Sequence, residues 1–355
     1  MLESALSEIR KIAEKLGKTK IMSFCGTHEH TIASSGLRAV LPGEVELIPG
    51  PGCPVCVTPA SIVDEAIRLS LEGVEVITFG DAFRLPGKKW IKSDFPKSLM
   101  EAKQRGGYVR VIYSPLEAII NRSRESVFLA IGFETTVPAT VSLLERKNNV
   151  KILSAHRLTP PVMKYTLEKH GRGGLRGIIA PGHVSAIVGA KAWEFLPRDY
   201  GIATVVSGFE PEDVLISILE LLRMIERDAP SLKNTYKRVV KYEGNLEAQR
   251  AIEKWFEISD ASWRGFGVIP NSGLVLREKW KDLDAMWQYG IRADRDSGSD
   301  NPPGCKCAEV TLGMSFPTSC PLFMKTCVPE NPYGPCMVST EGTCYIWARM
   351  LGRRS

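Results

Sequence analysis

Short, β-rich apolar runs alternate with helix-patterned stretches from residue 20 to residue 206, and this constrains the fold more than any other feature of the chain. The runs lie at 21–24, 45–48, 74–79 and 109–113, and the scheme restarts at 127–131, 151–154, 175–180 and 202–206. Between them, segments such as Ser61-Ile62-Val63-Asp64-Glu65-Ala66-Ile67-Arg68-Leu69 carry apolar side chains at helical spacing. Strand, helix, strand in regular succession predicts parallel sheets covered by helices. The expected fold class is therefore α/β, with two similar α/β domains over 1–122 and 123–235. A smaller cysteine-rich domain is expected over 236–355. Shared punctuation suggests a weak internal duplication: Ser23 is followed 28 residues later by Pro51-Gly52, and Ser154 is followed 27 later by Pro181-Gly182.

In folds of this class ligands sit at the carboxyl ends of parallel strands. The loops 25–30, 50–56, 80–84 and 132–136 are thus expected to face one crevice, and the unusual residues of the first half all lie in them. Cys25-Gly26-Thr27-His28-Glu29-His30 puts one thiol and two imidazoles within six residues. That donor set suits iron, zinc or nickel with open coordination positions, and equally a nucleophilic Cys-His pair. Alone, Cys25 would read as a buried strand-end thiol; the nearby histidines and the next motif favour chemistry.

Gly50-Pro51-Gly52-Cys53-Pro54-Val55-Cys56 is a C-x-x-C at an expected strand-to-helix turn, with Cys56 close to a helix start near Pro59. A helix N-terminus favours the thiolate, so a dithiol–disulfide pair fits better than half of a zinc site. Gly132-Phe133-Glu134-Thr135-Thr136 offers a carboxylate and two hydroxyls for a small polar ligand or for orienting an imidazole, or an N-cap ahead of Pro138. His156 and His183 follow strands at places matching Cys25 and Cys53, and each reads more readily as a satisfied loop histidine than as a ligand.

The last segment holds six of the nine cysteines: Cys305, Cys307, Cys320, Cys327, Cys336 and Cys344. Their separations of 2, 13, 7, 9 and 8 residues match neither ferredoxin spacing nor paired zinc knuckles. Six soft donors exceed what one metal ion or one cubane needs, and four ligands plus one redox pair is the simplest division. Which four is not set by spacing, because Cys305 and Cys307 would face one side of an extended chain. A zinc-stapled tail is the plain alternative.

Forty-six Lys and Arg are interleaved with 40 Asp and Glu, without the clustered basic stripe of a nucleic-acid binder. No run of 18 apolar residues occurs, and residues 1–20 read as a charged amphipathic helix. A cytoplasmic protein is expected, and in that setting cysteines argue for metal or redox chemistry over structural disulfides.

In this order, the Cys25–His30, Gly50–Cys56 and Gly132–Thr136 motifs and the terminal cysteine array resemble the [NiFe]-hydrogenase maturation factor HypD family, over about residues 20 to 347. The resemblance implies a scaffold on which an iron carrying two cyanides and one carbon monoxide, the Fe(CN)2CO group, is assembled before transfer to the hydrogenase large subunit. The implied partners are HypC, which bridges the iron, and HypE with HypF, which supply cyanide. The resemblance makes Cys25 the iron-binding thiolate with His28 beside it, and Cys53 and Cys56 the exchangeable dithiol. It also implies a [4Fe-4S] cluster in the third domain, held by Cys305, Cys320, Cys327 and Cys344, with Cys307 and Cys336 as an adjacent redox pair. Two cysteines exceed the four expected of the family pattern in this region. A freestanding thiol-disulfide oxidoreductase with an iron-sulfur cluster is the competing reading.

Overall fold

The computed structural model describes residues 2–120, 124–146, 148–292 and 300–351. All eight expected strands form: β1 Thr19–Ser23, β2 Val45–Pro49, β3 Glu75–Phe79, β4 Val109–Ile112, β5 Ser126–Gly132, β6 Lys151–His156, β7 Leu175–Pro181 and β8 Ala203–Ser207. Three more follow, β9 Leu232–Asn234, β10 Phe256–Trp263 and β11 Gly267–Leu276. The strands form two parallel sheets, ordered β2-β1-β7-β8-β9 and β4-β3-β5-β6, and an antiparallel hairpin β10-β11. The fold is α/β, with parallel sheets flanked by helices and a cysteine-rich C-terminal region. β5 is buried along its whole length, as a central parallel strand covered on both faces must be.

The sheets do not follow the division expected at residue 122, a position outside the described residues. The chain lays down β1 and β2, leaves to build the whole four-stranded sheet, and returns to place β7 against β1 in parallel register, Met22 opposite Ile178. Each parallel crossover can span either the same sheet or a gap between sheets, and local patterning looks alike in both cases. The proposed duplication has no counterpart in the pairing: β1 and β2 are neighbours, whereas β6 and β7 lie in different sheets.

The span 236–292 reaches the cysteine region through Ala285 and Ile291, which share its core, and also packs on the two sheets. β9 completes the first sheet, and the hairpin packs on β6, where Ser154 Oγ donates to Leu274 O at 2.7 Å and Leu158 N to Ser272 O at 2.8 Å. The Ser/Gly/Asp/Pro composition of 294–303 predicts a polar connector, which lies largely outside the described residues, as do Arg353 and Arg354. The helix Leu2–Leu16 buries Ala5, Ile9, Ile12 and Ala13 against the apolar face of the helix Pro211–Glu226 on the first sheet. A second core joins the C-x-x-C, one face of the second sheet and the terminal cysteines, which is how the chain's end comes to lie behind the first sheet's loops. Among the described residues no helix is long and apolar enough to cross a membrane.

Candidate functional site

Cys25 sits at the carboxyl end of β1 as the N-cap of the helix Gly26–Ser34, and Cys53 sits at the end of neighbouring β2. Two adjacent parallel strands therefore deliver both motifs to the same edge. The contact between them is backbone to backbone: Gly26 N donates to Gly52 O at 3.3 Å, and a Cβ built on Gly52 would fall 1.8 Å from Phe24 O and 2.6 Å from the Cα of Cys25. Only glycine permits that approach. Cys53 and Cys56 are joined as a disulfide with S–S 2.07 Å. The pair lies within a short helix of its own, Pro54–Val57, with Cys53 as N-cap, and the longer helix Ala60–Leu71 starts after Pro59. Cys56 is thus one turn earlier than a position just ahead of the long helix, because Pro54 and Pro59 each open a new helical segment.

The Cys25 thiol is buried, and loss of solvation together with the nearby Glu341 carboxylate pushes its pKa up to about 11. Backbone and side-chain hydrogen bonds from Thr27 and the His28 backbone oppose this rise. Unmetallated, Cys25 is a protonated thiol at neutral pH, so a metal would have to displace the proton. His28 is fully buried; its Nε2–H donates to Gly208 O at 2.8 Å, while Nδ1 has no hydrogen-bond partner among the described residues. Burial lowers its pKa to about 4, which keeps the imidazole neutral with a free Nδ1 lone pair. The ring stacks on Phe209 with centroids 4.6 Å apart, and His183 stacks on the same ring at 3.9 Å. His30 of the same motif is exposed.

The other expected loops divide. Asp81, in the third, accepts from Ser339 Oγ at 3.1 Å and thereby meets the segment that carries Glu341. The fourth approaches through Phe133, which shares a core with Phe24 and Val57, but Glu134 turns away. Its Oε1 accepts from Thr159 N at 2.7 Å and Thr159 Oγ1 at 3.2 Å, holding the start of the helix Thr159–His170, while Oε2 is buried without a partner among the described residues. His156 is likewise occupied elsewhere, with Nε2 and Thr140 Oγ1 3.0 Å apart. Thr136 stands at the N-cap of the helix Val137–Leu144 without a side-chain capping bond.

Desolvation raises the Glu134 pKa from 4.5 to about 7. A carboxyl whose folded pKa lies above its unfolded value binds protons more tightly when folded. Its contribution to stability is therefore complete below pH about 4.5 and is lost as pH rises through about 7. Glu134→Gln keeps the acceptor for Thr159 and cannot ionise. Urea denaturation of the variant is expected to show a smaller loss of stability between pH 5 and pH 8 than the parent; equal losses would contradict the assignment.

Sequence reading missed two residues that complete the site from the far end of the chain. Glu341 receives Thr27 Oγ1 at 3.4 Å, its backbone carbonyl would lie 2.4 Å from a Cβ on Gly26, and burial with the neighbouring Asp81 raises its pKa to about 7. Trp347 donates from Nε1 to Glu29 Oε1 at 2.8 Å, and Arg38 pairs with Glu29 Oε2 at 2.8 Å. The Glu341 and Trp347 contacts span more than 300 residues of sequence, and no local pattern announces them.

All six terminal cysteines line one cavity, with Leu322, Phe323, Gly334 and Met337. Cys307 opens the short helix Cys307–Thr311 rather than continuing an extended strand, yet it faces the same cavity as Cys305. Cys305 and Cys307, Cys307 and Cys336, and Cys336 and Cys344 are neighbouring thiols; the hydrogen bond with Cys307 and burial push the Cys305 thiol up, while at Cys336 the bond with Cys307 lowers the pKa and is outweighed by the bond with Cys344 and by burial. Backbone N–H groups of Tyr333 and Gly334 point at Cys327 Sγ from 3.4 and 3.5 Å, and that of Cys344 at Cys336 Sγ from 3.2 Å. Among the described residues no three Cys, His, Asp or Glu side chains close around a single ion position.

A family model described as HypD, hydrogenase formation hypA family, matches residues 1–351. The chain belongs to the HypD family. It is 44% identical to a putative hydrogenase expression/formation protein of Methanocaldococcus jannaschii, over 98% of this chain and 96% of that one. It is 39% identical to the hydrogenase maturation factor HypD of Azotobacter vinelandii, over 92% of this chain and 88% of the relative. With the HypD of Rhodobacter capsulatus it shares 38% identity over 100% and 97% of the two chains. Membership makes this chain a hydrogenase maturation factor by family.

Proposed function

We propose that this HypD family chain is the scaffold on which the Fe(CN)2CO group of [NiFe]-hydrogenases is assembled, with the iron as its cargo and Cys25 as the protein thiolate that holds it. The observation that carries the reading is the contact of Gly52 with Cys25, which seats the Cys53–Cys56 pair beside a lone buried thiol at the end of a parallel sheet. A thiolate with few other ligands leaves coordination positions open for diatomics. His28, held by Gly208 with Nδ1 free, is the neutral imidazole that the same motif offers. HypC supplies a second thiolate from outside, and HypE with HypF deliver cyanide. Glu341, which accepts from Thr27 Oγ1 two residues along from Cys25, is the carboxyl assigned to take the proton that leaves Cys25 when iron binds.

The terminal cavity holds a [4Fe-4S] cluster, and its donor chemistry fits. Six thiols share one cavity, and amide N–H groups point at sulfur. Cys305, Cys320, Cys327 and Cys344 hold it. Cys307 and Cys336, neighbours of each other between Cys305 and Cys344, form the redox pair. When bound, the cluster supplies single electrons. The chain's residues shield it within the buried core shared with the C-x-x-C.

Anaerobically purified protein is expected to be brown, with broad visible absorption and about four iron and four acid-labile sulfide per chain. A colourless protein carrying stoichiometric zinc would remove the cluster from this account.

A further inference from the structure

We infer that Arg264 is a positioning residue whose buried charge favours reduction of the terminal cysteine cavity, standing between that cavity and the Cys53–Cys56 pair. The inference rests on the reading that the cavity holds an iron-sulfur cluster. Arg264 follows β10 as the first residue of the hairpin turn and is 2% exposed. On one side its backbone N–H donates to Val57 O at 2.7 Å, the last residue of the short helix that carries Cys53 and Cys56. On the other, Gly265 packs on Ala308: a Cβ there would fall 2.7 Å from the Ala308 Cβ, one residue after Cys307.

The guanidinium is held by two carbonyls, Nε to Asp300 O at 3.1 Å and Nη1 to Pro86 O at 2.7 Å. Nη2 is buried with no hydrogen-bond partner among the described residues. Its charge is felt by the Asp300 and Asp64 carboxylates and by the Cys305 and Cys307 thiols. Both carboxylates have other partners. Asp64 accepts from Lys88 N and Lys89 N, and Asp300 accepts from Ala60 N at 3.3 Å and pairs with Lys88 Nζ at 3.5 Å. A cation buried at this cost, with one donor unused, keeps charge that its hydrogen bonds do not offset, beside the segment that carries Cys307.

Reduction of a cluster adds one electron without making or breaking a bond and without a proton. A fixed positive charge in a low-dielectric setting therefore stabilises the reduced state directly. The same residue is tied through its backbone N–H to the segment that carries Cys53 and Cys56.

The test is a mediated redox titration of the reconstituted full-length protein, after iron and sulfide analysis has established the cluster in the parent. Arg264→Gln is expected to lower the reduction equilibrium constant about tenfold, about 59 mV more negative for one electron. Arg264→Lys, which keeps the charge and loses the fork, is expected to stay near the parent value. Asp300→Asn, which removes the opposing carboxylate, is expected to shift the potential positively, and it decides the matter if Arg264→Gln does not retain a cluster. Unchanged potentials in a cluster-bearing Arg264→Gln protein, or Lys and Gln variants displaced alike, overturn the inference while leaving the cluster in place. Absence of a cluster from the parent overturns the underlying reading instead.

Discussion

Replacing Cys25 with alanine is expected to abolish the iron-bound cyanide and carbonyl infrared bands of the protein purified with HypC, without unfolding it. The side chain is a small buried thiol at a strand end, and its loss as a packing group costs on the order of 1 kcal/mol. Its loss as a ligand leaves no other cysteine at this edge of the sheet except the pair already committed to a disulfide. Cys53→Ser is expected to differ: the thiolate at Cys25 remains, while the exchangeable dithiol is gone. The freestanding oxidoreductase reading predicts the reverse order, with Cys25→Ala silent and Cys53→Ser inactive toward disulfide substrates. Diatomic bands of undiminished intensity in the Cys25→Ala complex would sink the scaffold.

The second large effect belongs to a residue with no side chain. A methyl group at position 52 would lie 1.8 Å from Phe24 O and 2.6 Å from Cys25 Cα. Both obstacles are backbone of β1 and its end, held in the sheet by pairing with β2 and β7, so neither yields by rotating a side chain. Gly52→Ala is expected to destabilise the chain by about 3 kcal/mol or more in chemical denaturation, and to move the Cys53–Cys56 loop away from Cys25. Gly43→Ala is the matched control, because a Cβ at Gly43 meets nothing within 4 Å. Equal stability of the two variants would show that the two motifs do not touch in solution. A Gly52→Ala protein that folds but has lost infrared-visible iron would instead confirm that adjacency is what the site requires.

The amino-acid sequence determined the local structure and the roster of reactive groups. Eight apolar runs became eight parallel strands because a strand buried on both faces must be apolar throughout, and that pattern is readable without the fold. Motifs at strand ends were legible for the same reason: Cys25 stands two residues beyond β1 and Cys53 four beyond β2, where loops of parallel sheets collect.

Sheet membership was not legible. β2-to-β3 and β6-to-β7 carry the same strand–helix–strand pattern as links within one sheet, so a division near residue 122 suited the sequence as well as the interleaved arrangement that forms. The direction of polar side chains was equally hidden. Glu134 was placed in the crevice by its loop, yet Thr159 captures it, because two donors at a helix start outcompete an open cleft.

Only the tertiary structure decided what surrounds Cys25. Glu341, Trp347 and Asp81 arrive from distant segments, and their contacts depend on the second core, which seats the terminal cysteines behind the C-x-x-C. A carboxyl such as Glu341 is indistinguishable in sequence from any surface glutamate. Its chemistry comes from burial, which raises its pKa to about 7, and burial is a property of the assembled chain.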